Sequence, residues 1–109
     1  MSNLEIHIAT EFGKTPGARY IYEGEFSGQK FLEDLLRPRF VEAQENKCKL
    51  LIYLDGGVLG YPSSFVSGSF GKLSMEFGHE KVIAIISLVS DNNIRKEKIM
   101  QEILKPSNK

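Results

Sequence analysis

Ser63 and Ser64 stand side by side, eight and nine residues after Asp55, in LLIYLDGGVLGYPSSFVSGSFGKL. A serine hydroxyl can attack a carbonyl, take up a phosphoryl group, or accept a bond from an orphan N–H at a helix start. Hydrolysis would require Ser64, a histidine and Asp55 to converge. The glycine-x-serine-x-glycine elbow is absent, because Tyr61-Pro62-Ser63-Ser64-Phe65 stands in its place. The only histidines are His7 and His79, with no second His, Cys or carboxylate at ligand spacing, so no metal and no catalytic residue is expected. Cys48 is the single cysteine; no internal disulfide can form, and it reads as a small core residue at a strand start. The triplet Gly13-Lys14-Thr15 has Ile8 where a phosphate loop needs its first glycine, and no helix follows it directly. Capping is therefore the leading structural role for the serine pair, and it does not conflict with modification.

The same segment is also the place where a ligand or partner would be met. Asp55, Gly56, Gly57 and Gly60 leave an apolar run, and Pro62, Ser63 and Ser64 lead into a helical pattern. Glycines permit positive φ and close backbone approach. A helix start offers unpaired N–H groups and the positive end of a dipole, which favour a phosphate or carboxylate. Arg19 and Lys14 are candidate counter-charges. Two functions follow: a partner-docking surface over Asp55, Gly56, Gly57, Gly60, Ser63, Ser64 and Phe65, or a small-anion or nucleotide site on the same residues.

The elements that would position these groups are read from periodicity. LEIHIA, residues 4–9, alternates apolar and polar as a half-buried strand does. GKTPG at 13–17 is a turn, and RYIYEG at 19–24 reads as a second strand closing a hairpin. Ser27 caps a helix whose apolar stripe is Phe31, Leu32, Leu35, Leu36, Phe40 and Val41, with a kink or break expected at Pro38. CKLLIYLDGG, residues 48–57, predicts a strand covered on both faces. Val66, Phe70, Leu73 and Phe77 mark the helix after the serines, ended by Gly78. KVIAIISLVS, residues 81–90, predicts another buried strand. Ile99, Met100, Ile103 and Leu104 mark a last helix, stopped by Pro106 before a mobile SNK tail. The expected fold is α/β, a small mixed sheet of about four strands flanked by helices in the order β-β-α-β-α-β-α, forming one domain over residues 1–109.

Composition narrows the function classes. The 109 residues carry 14 basic and 14 acidic side chains, so there is no cationic excess of the kind that binds nucleic acid. No apolar run approaches the ~20 residues of a membrane span, and the N-terminus lacks a signal-peptide layout, so a cytoplasmic location is expected. A free edge on the first hairpin would allow a homodimer, and a loop covering that edge is the equal alternative.

The segment 50–73 resembles the core of STAS domains, the fold of bacterial anti-sigma factor antagonists. There a strand-end aspartate precedes Asp-Ser-Ser-Gly, and the serine before that glycine is phosphorylated. Asp55 matches the strand-end aspartate and Ser64 the phosphorylated serine; Pro62 and Phe65 depart from the pattern. The chain resembles still more closely the STAS-like domains of unknown function. Arg19, Gly24, Ser27, Gly28, Phe31, Leu36 and Pro38 match within GARYIYEGEFSGQKFLEDLLRP, and Ser64, Phe65, Phe70 and Gly71 within YPSSFVSGSFGKL. The resemblance implies a non-enzymatic signalling module without a cofactor. Its partner would be an ATP-binding anti-sigma-like or sensor-kinase-like protein, and phosphorylation of Ser64, with Ser63 second, would switch the contact.

Overall fold

A computed structural model describes residues 3–105. Three parallel strands, β1 (Leu4–His7), β2 (Leu50–Tyr53) and β3 (Ile86–Val89), form one sheet with β2 in the centre. Ile6 lies opposite Ile52, and Ile52 opposite Leu88. That row, with Leu50 and Ile86, points into the core. On the other face Glu5 and His7 are exposed, and Leu51, Tyr53, Ser87 and Val89 are half-buried. The apolar run at 48–57 thus does not mean burial on both faces. Tyr53 instead lies flat on the His7 ring, at 4.2 Å between centroids.

Five helices accompany the sheet among the described residues. They are α1 (Ile8–Glu11), α2 (residues 28–46), α3 (residues 63–77), α4 (His79–Ile85) and α5 (Asn93–Leu104). None is long and apolar enough to cross a membrane. Ser27 caps α2 as expected, its hydroxyl accepting from Lys30 N–H at 3.1 Å. Pro106 and the SNK tail lie outside the described residues.

Among the described residues the sheet has three strands, all parallel, and no hairpin, which corrects the four-strand, mixed expectation. Residues 19–24 do not pair; Ile21–Glu23 form a 3₁₀ turn. Neighbouring polar groups take the bonds a ladder would need. Glu23 Oε1 accepts from the N–H groups of Arg19 and Tyr20, and Gln29 Oε1 accepts from Ile21. The Ala18 and Arg19 carbonyls accept from Gly28 and Gln29 at the start of α2.

A homodimer through the hairpin edge therefore has no hairpin to use, and the outer edge of β1 is occupied as well. Arg39 Nη1 donates to the Glu5 carbonyl at 2.7 Å, and His7 N–H donates to Glu11 at 2.9 Å. Arg39 and Glu11 pair with each other at 2.8 Å. Burial pushes the Glu11 carboxyl up, but the Arg39 hydrogen bond, the His7 N–H and the Arg39 charge together hold it below its ordinary value.

The predicted strand at 81–90 shortens to Ile86–Val89, because residues 79–85 wind into α4. Gly78, at φ +92°, turns the chain out of α3, and Val82 N–H bonds back to its carbonyl. Val82 is buried while Ile83 and Ala84 face solvent, a helical rather than an alternating pattern.

Both long helices contain a π-turn. In α2 it spans Leu32–Leu36, and Arg37 N–H reaches back five residues to the Leu32 carbonyl. The widened turn directly precedes Pro38, so the missing proline donor is absorbed and the helix continues to Asn46 where a kink or break was expected. In α3 the π-turn spans Ser67–Gly71, and Ser69 Oγ donates to the Phe65 carbonyl at 2.7 Å. The helices cross closely at glycines. A Cβ on Gly28 would lie 2.4 Å from the Phe65 carbonyl oxygen.

Candidate functional site

The sequence points to the end of β2. There Gly56 and Gly57 adopt φ +101° and +96°, the region that favours glycine, and carry the chain away from the sheet. The Asp55 carboxylate is held by the loop after β3. It accepts from Ser90 Oγ at 2.8 Å, from Asp91 N–H at 2.8 Å and from Arg95 Nη1 at 3.1 Å. Arg95 also donates to the carbonyls of Leu54 and Val58, and its guanidinium lies 5.4 Å from the centre of the Tyr61 ring. Tyr61 is buried and donates its hydroxyl to the Leu54 carbonyl at 2.6 Å. Asn92 caps α5 through Ile94 and Arg95 N–H. The Asp91 N–H is the main reason the Asp55 carboxyl sits below its ordinary value; Ser90 and Arg95 add to it against the opposing effect of burial. Burial raises the Tyr61 phenol above its ordinary value.

Asp55 is thus joined to the framework that fastens the β2 and β3 loops together, while its side chain stays 39% exposed at the rim of the sheet. Ser90, Asn92, Arg95 and Tyr61 escaped sequence reasoning. The one signal was SDNN before a helical stripe, a capping pattern with an arginine behind it.

The remaining predicted residues separate. Helix α3 starts at Ser63 with Pro62 as its N-cap, and neither serine supplies a cap bond. Ser63 is exposed and Ser64 half-buried. The capping role expected of the pair is not the one they take, because both already lie inside the helix. Phe65 faces the opposite way. It is buried against Phe12, Phe31 and Tyr61, which corrects its placement on a docking surface. Lys14 stays with the loop: a Cβ on Gly57 would lie 3.5 Å from Lys14 Cδ, and the Lys14 carbonyl accepts from Leu59 N–H. A Cβ on Gly60 would meet open space.

Arg19 does not join them. Its stem lies on α3, where a Cβ on Gly68 would be 3.0 Å from Arg19 Cγ. His7 bonds Glu5 at 2.9 Å, and His79 lines a separate depression with Ser74 and Lys105. Cys48 is half-buried against the core, two residues before β2. Among the described residues, no three His, Cys, Asp or Glu side chains converge as a metal site requires.

Two of the depressions among the described residues bear on recognition. One is a shallow concavity lined by the predicted Asp55, Gly56 and Gly57 together with Val58, Ile94 and Arg95. Leu59 beside it is 79% exposed and Ile94 78%. The other is a groove between α2 and α3 of about 230 Å³, lined by Arg19, Tyr20, Glu33, Arg37, Lys72 and Glu76 among others.

No curated protein and no solved structure matches the chain. A family model described as a STAS-like domain of unknown function matches residues 27–96. The match runs from the Ser27 cap of α2 through the serine pair to the first turn of α5. It takes in both π-turns, β2, β3 and every member of the Asp55–Arg95 network. The chain belongs to this family of STAS-like domains.

Proposed function

We propose that the chain is a non-enzymatic regulatory module whose partner docks on the loop after β2 and the exposed start of α3. The observation that carries this reading is Leu59, 79% exposed four residues before Ser63, with Ile94 78% exposed after β3. Contiguous exposed apolar surface marks interaction sites, and Ile94 lines one concavity with Val58, the chain neighbour of Leu59. Among the described residues neither Ser63 nor Ser64 makes a cap bond; Ser63 is exposed and Ser64 half-buried at the start of α3.

The partner is an ATP-binding, kinase-like regulator. Its γ-phosphoryl group passes to the Ser64 oxygen, with ADP and the hydroxyl proton released. The product adds nearly two negative charges to the docking face and breaks the contact through desolvation and repulsion. Affinity capture from the native host tests both parts, using wild type, Leu59→Glu and Ser64→Asp. Partners held by wild type and lost by Leu59→Glu support docking, and their loss by Ser64→Asp supports the switch. An identical partner set at equal affinity for all three proteins overturns the reading.

A second reading, a small-anion site on the same loop, draws support from Lys14 beside Gly57. Calorimetric titration with inorganic phosphate and nucleotides tests it. No heat and no thermal shift across the set would remove it.

A further inference from the structure

We propose that the groove between α2 and α3 is a receptor for a carboxylate, presented by an acidic side chain of a partner protein. The proposal uses none of the residues of the Ser63–Ser64 surface and stands or falls separately from it.

Arg19 Nε is buried and has no hydrogen-bond partner among the described residues. A guanidinium carries five donors and stays charged at any working pH. Leaving a buried donor unmatched costs on the order of 1–3 kcal/mol, and native proteins do so rarely. Lys72 lines the same groove, and neither it nor Arg19 enters an ion pair among the described residues.

The other charged groups here are engaged. Arg37 holds Glu76 through two bonds of 2.9 Å, and Glu33 accepts from Gln29 Nε2 at 3.2 Å. The lining has three cations against two carboxylates, so one positive charge is in excess.

The backbone has been reshaped at this place. Leu32 and Glu33 belong to the π-turn of α2 and Gly68 to that of α3, and all three line the groove. π-Turns occur frequently at functional sites, where they displace side chains from regular helical positions. Gly68 leaves room for the Arg19 stem to lie against the helix, and any Cβ there would press on it.

Size and charge select the ligand. About 230 Å³ is below the 300–1,000 Å³ usual for pockets that hold drug-sized molecules or cofactors, which leaves out a nucleotide. A single excess cation balances a carboxylate and is exceeded by a dianionic phosphate. The rim favours a protein as the carrier. Tyr20 lines the groove and stacks on Tyr22, which is 82% exposed, and Ile21 between them is exposed as well. Aromatic and apolar contacts around a charged anchor are typical of protein interfaces.

The test is an NMR titration of the full chain, following the Arg19 Nε–Hε resonance. The probes are a short peptide with one glutamate between leucines, its glutamine counterpart, sodium acetate and inorganic phosphate. The glutamate peptide should move the resonance with a dissociation constant of about 1 mM. The glutamine peptide and acetate should bind at least about tenfold more weakly, and Lys72→Met, and Arg19→Met followed through the Gly68 backbone amide instead, should each weaken the glutamate peptide by a similar factor. An unmoved resonance, or an equal response to both peptides, overturns the carboxylate site. Acetate or phosphate matching the peptide overturns the protein as its source.

Discussion

Arg95 donates to Leu54, Asp55 and Val58 and lies over Tyr61, whereas Arg19 keeps a buried Nε with no partner among the described residues. Both side chains are half-buried, Arg95 in the first turn of α5 and Arg19 in the segment between α1 and α2. The difference separates framework from capacity. Where every donor has an acceptor, the polar groups hold the fold. Where one is left over at a groove, the protein retains something to offer a ligand.

The largest effect expected is on the Arg95 side. Arg95→Met removes the bonds to three residues and leaves Asp55 with one fewer donor. It should lower unfolding stability by about 3 kcal/mol in urea titration, at roughly 1 kcal/mol for each of the three partners that lose a hydrogen bond. A loss under about 1 kcal/mol would put Arg95 in the same class as Arg19 and dissolve the contrast.

Gly28→Ala comes next. Its Cβ would meet the Phe65 carbonyl at 2.4 Å and spread the crossing that forms the groove, at a cost of about 2 kcal/mol. Unchanged stability would mean that the helices can part freely and that the groove is not a fixed shape.

Acidification probes the framework carboxylates together. Asp55 and Glu11 both have folded-state pKa values below the ordinary range. Their stabilising contribution is complete above the unfolded value of about 4 and disappears as pH falls through the lower folded values. Stability measured against pH should therefore decline below about pH 4, with a shallower decline in Asp55→Asn. An identical slope in that variant would mean Asp55 is no part of the acid response.

The smallest effect expected is Arg19→Met. It removes a buried donor that bonds nothing and should raise stability by up to about 1 kcal/mol rather than lower it. A loss comparable to that of Arg95→Met would mean Arg19 supports the fold, and the groove would lose its claim to recognition.

What the sequence made legible follows from which interactions are local. Ser27 as a cap, Gly78 as a helix end and the stripe from Val66 to Phe77 depend on neighbours a few residues away, and all three stand as expected. The reading of 19–24 as a strand failed because Glu23 and Gln29 divert backbone donors, and a propensity pattern does not register side-chain competition of that kind. The strand read at 81–90 forms only over Ile86–Val89, because strand length is set by partners and β1 and β2 offer four residues each. At the site, Gly56 and Gly57 were identifiable because positive φ leaves a mark in composition. Arg95 was not, since it reaches Asp55 across forty positions of chain and only the parallel crossover brings them together.

A sheet whose border stays unsatisfied can recruit extended chain from any neighbour, and the same hydrogen-bond geometry that builds a domain then builds a fibre. At β1 the Glu11–Arg39 pair ends that growth chemically, with a carboxylate and a guanidinium imitating the next peptide. A terminator made of charge can be titrated and screened, whereas one made of backbone cannot. Acid or concentrated salt should therefore make this protein stickier before it makes it unfolded.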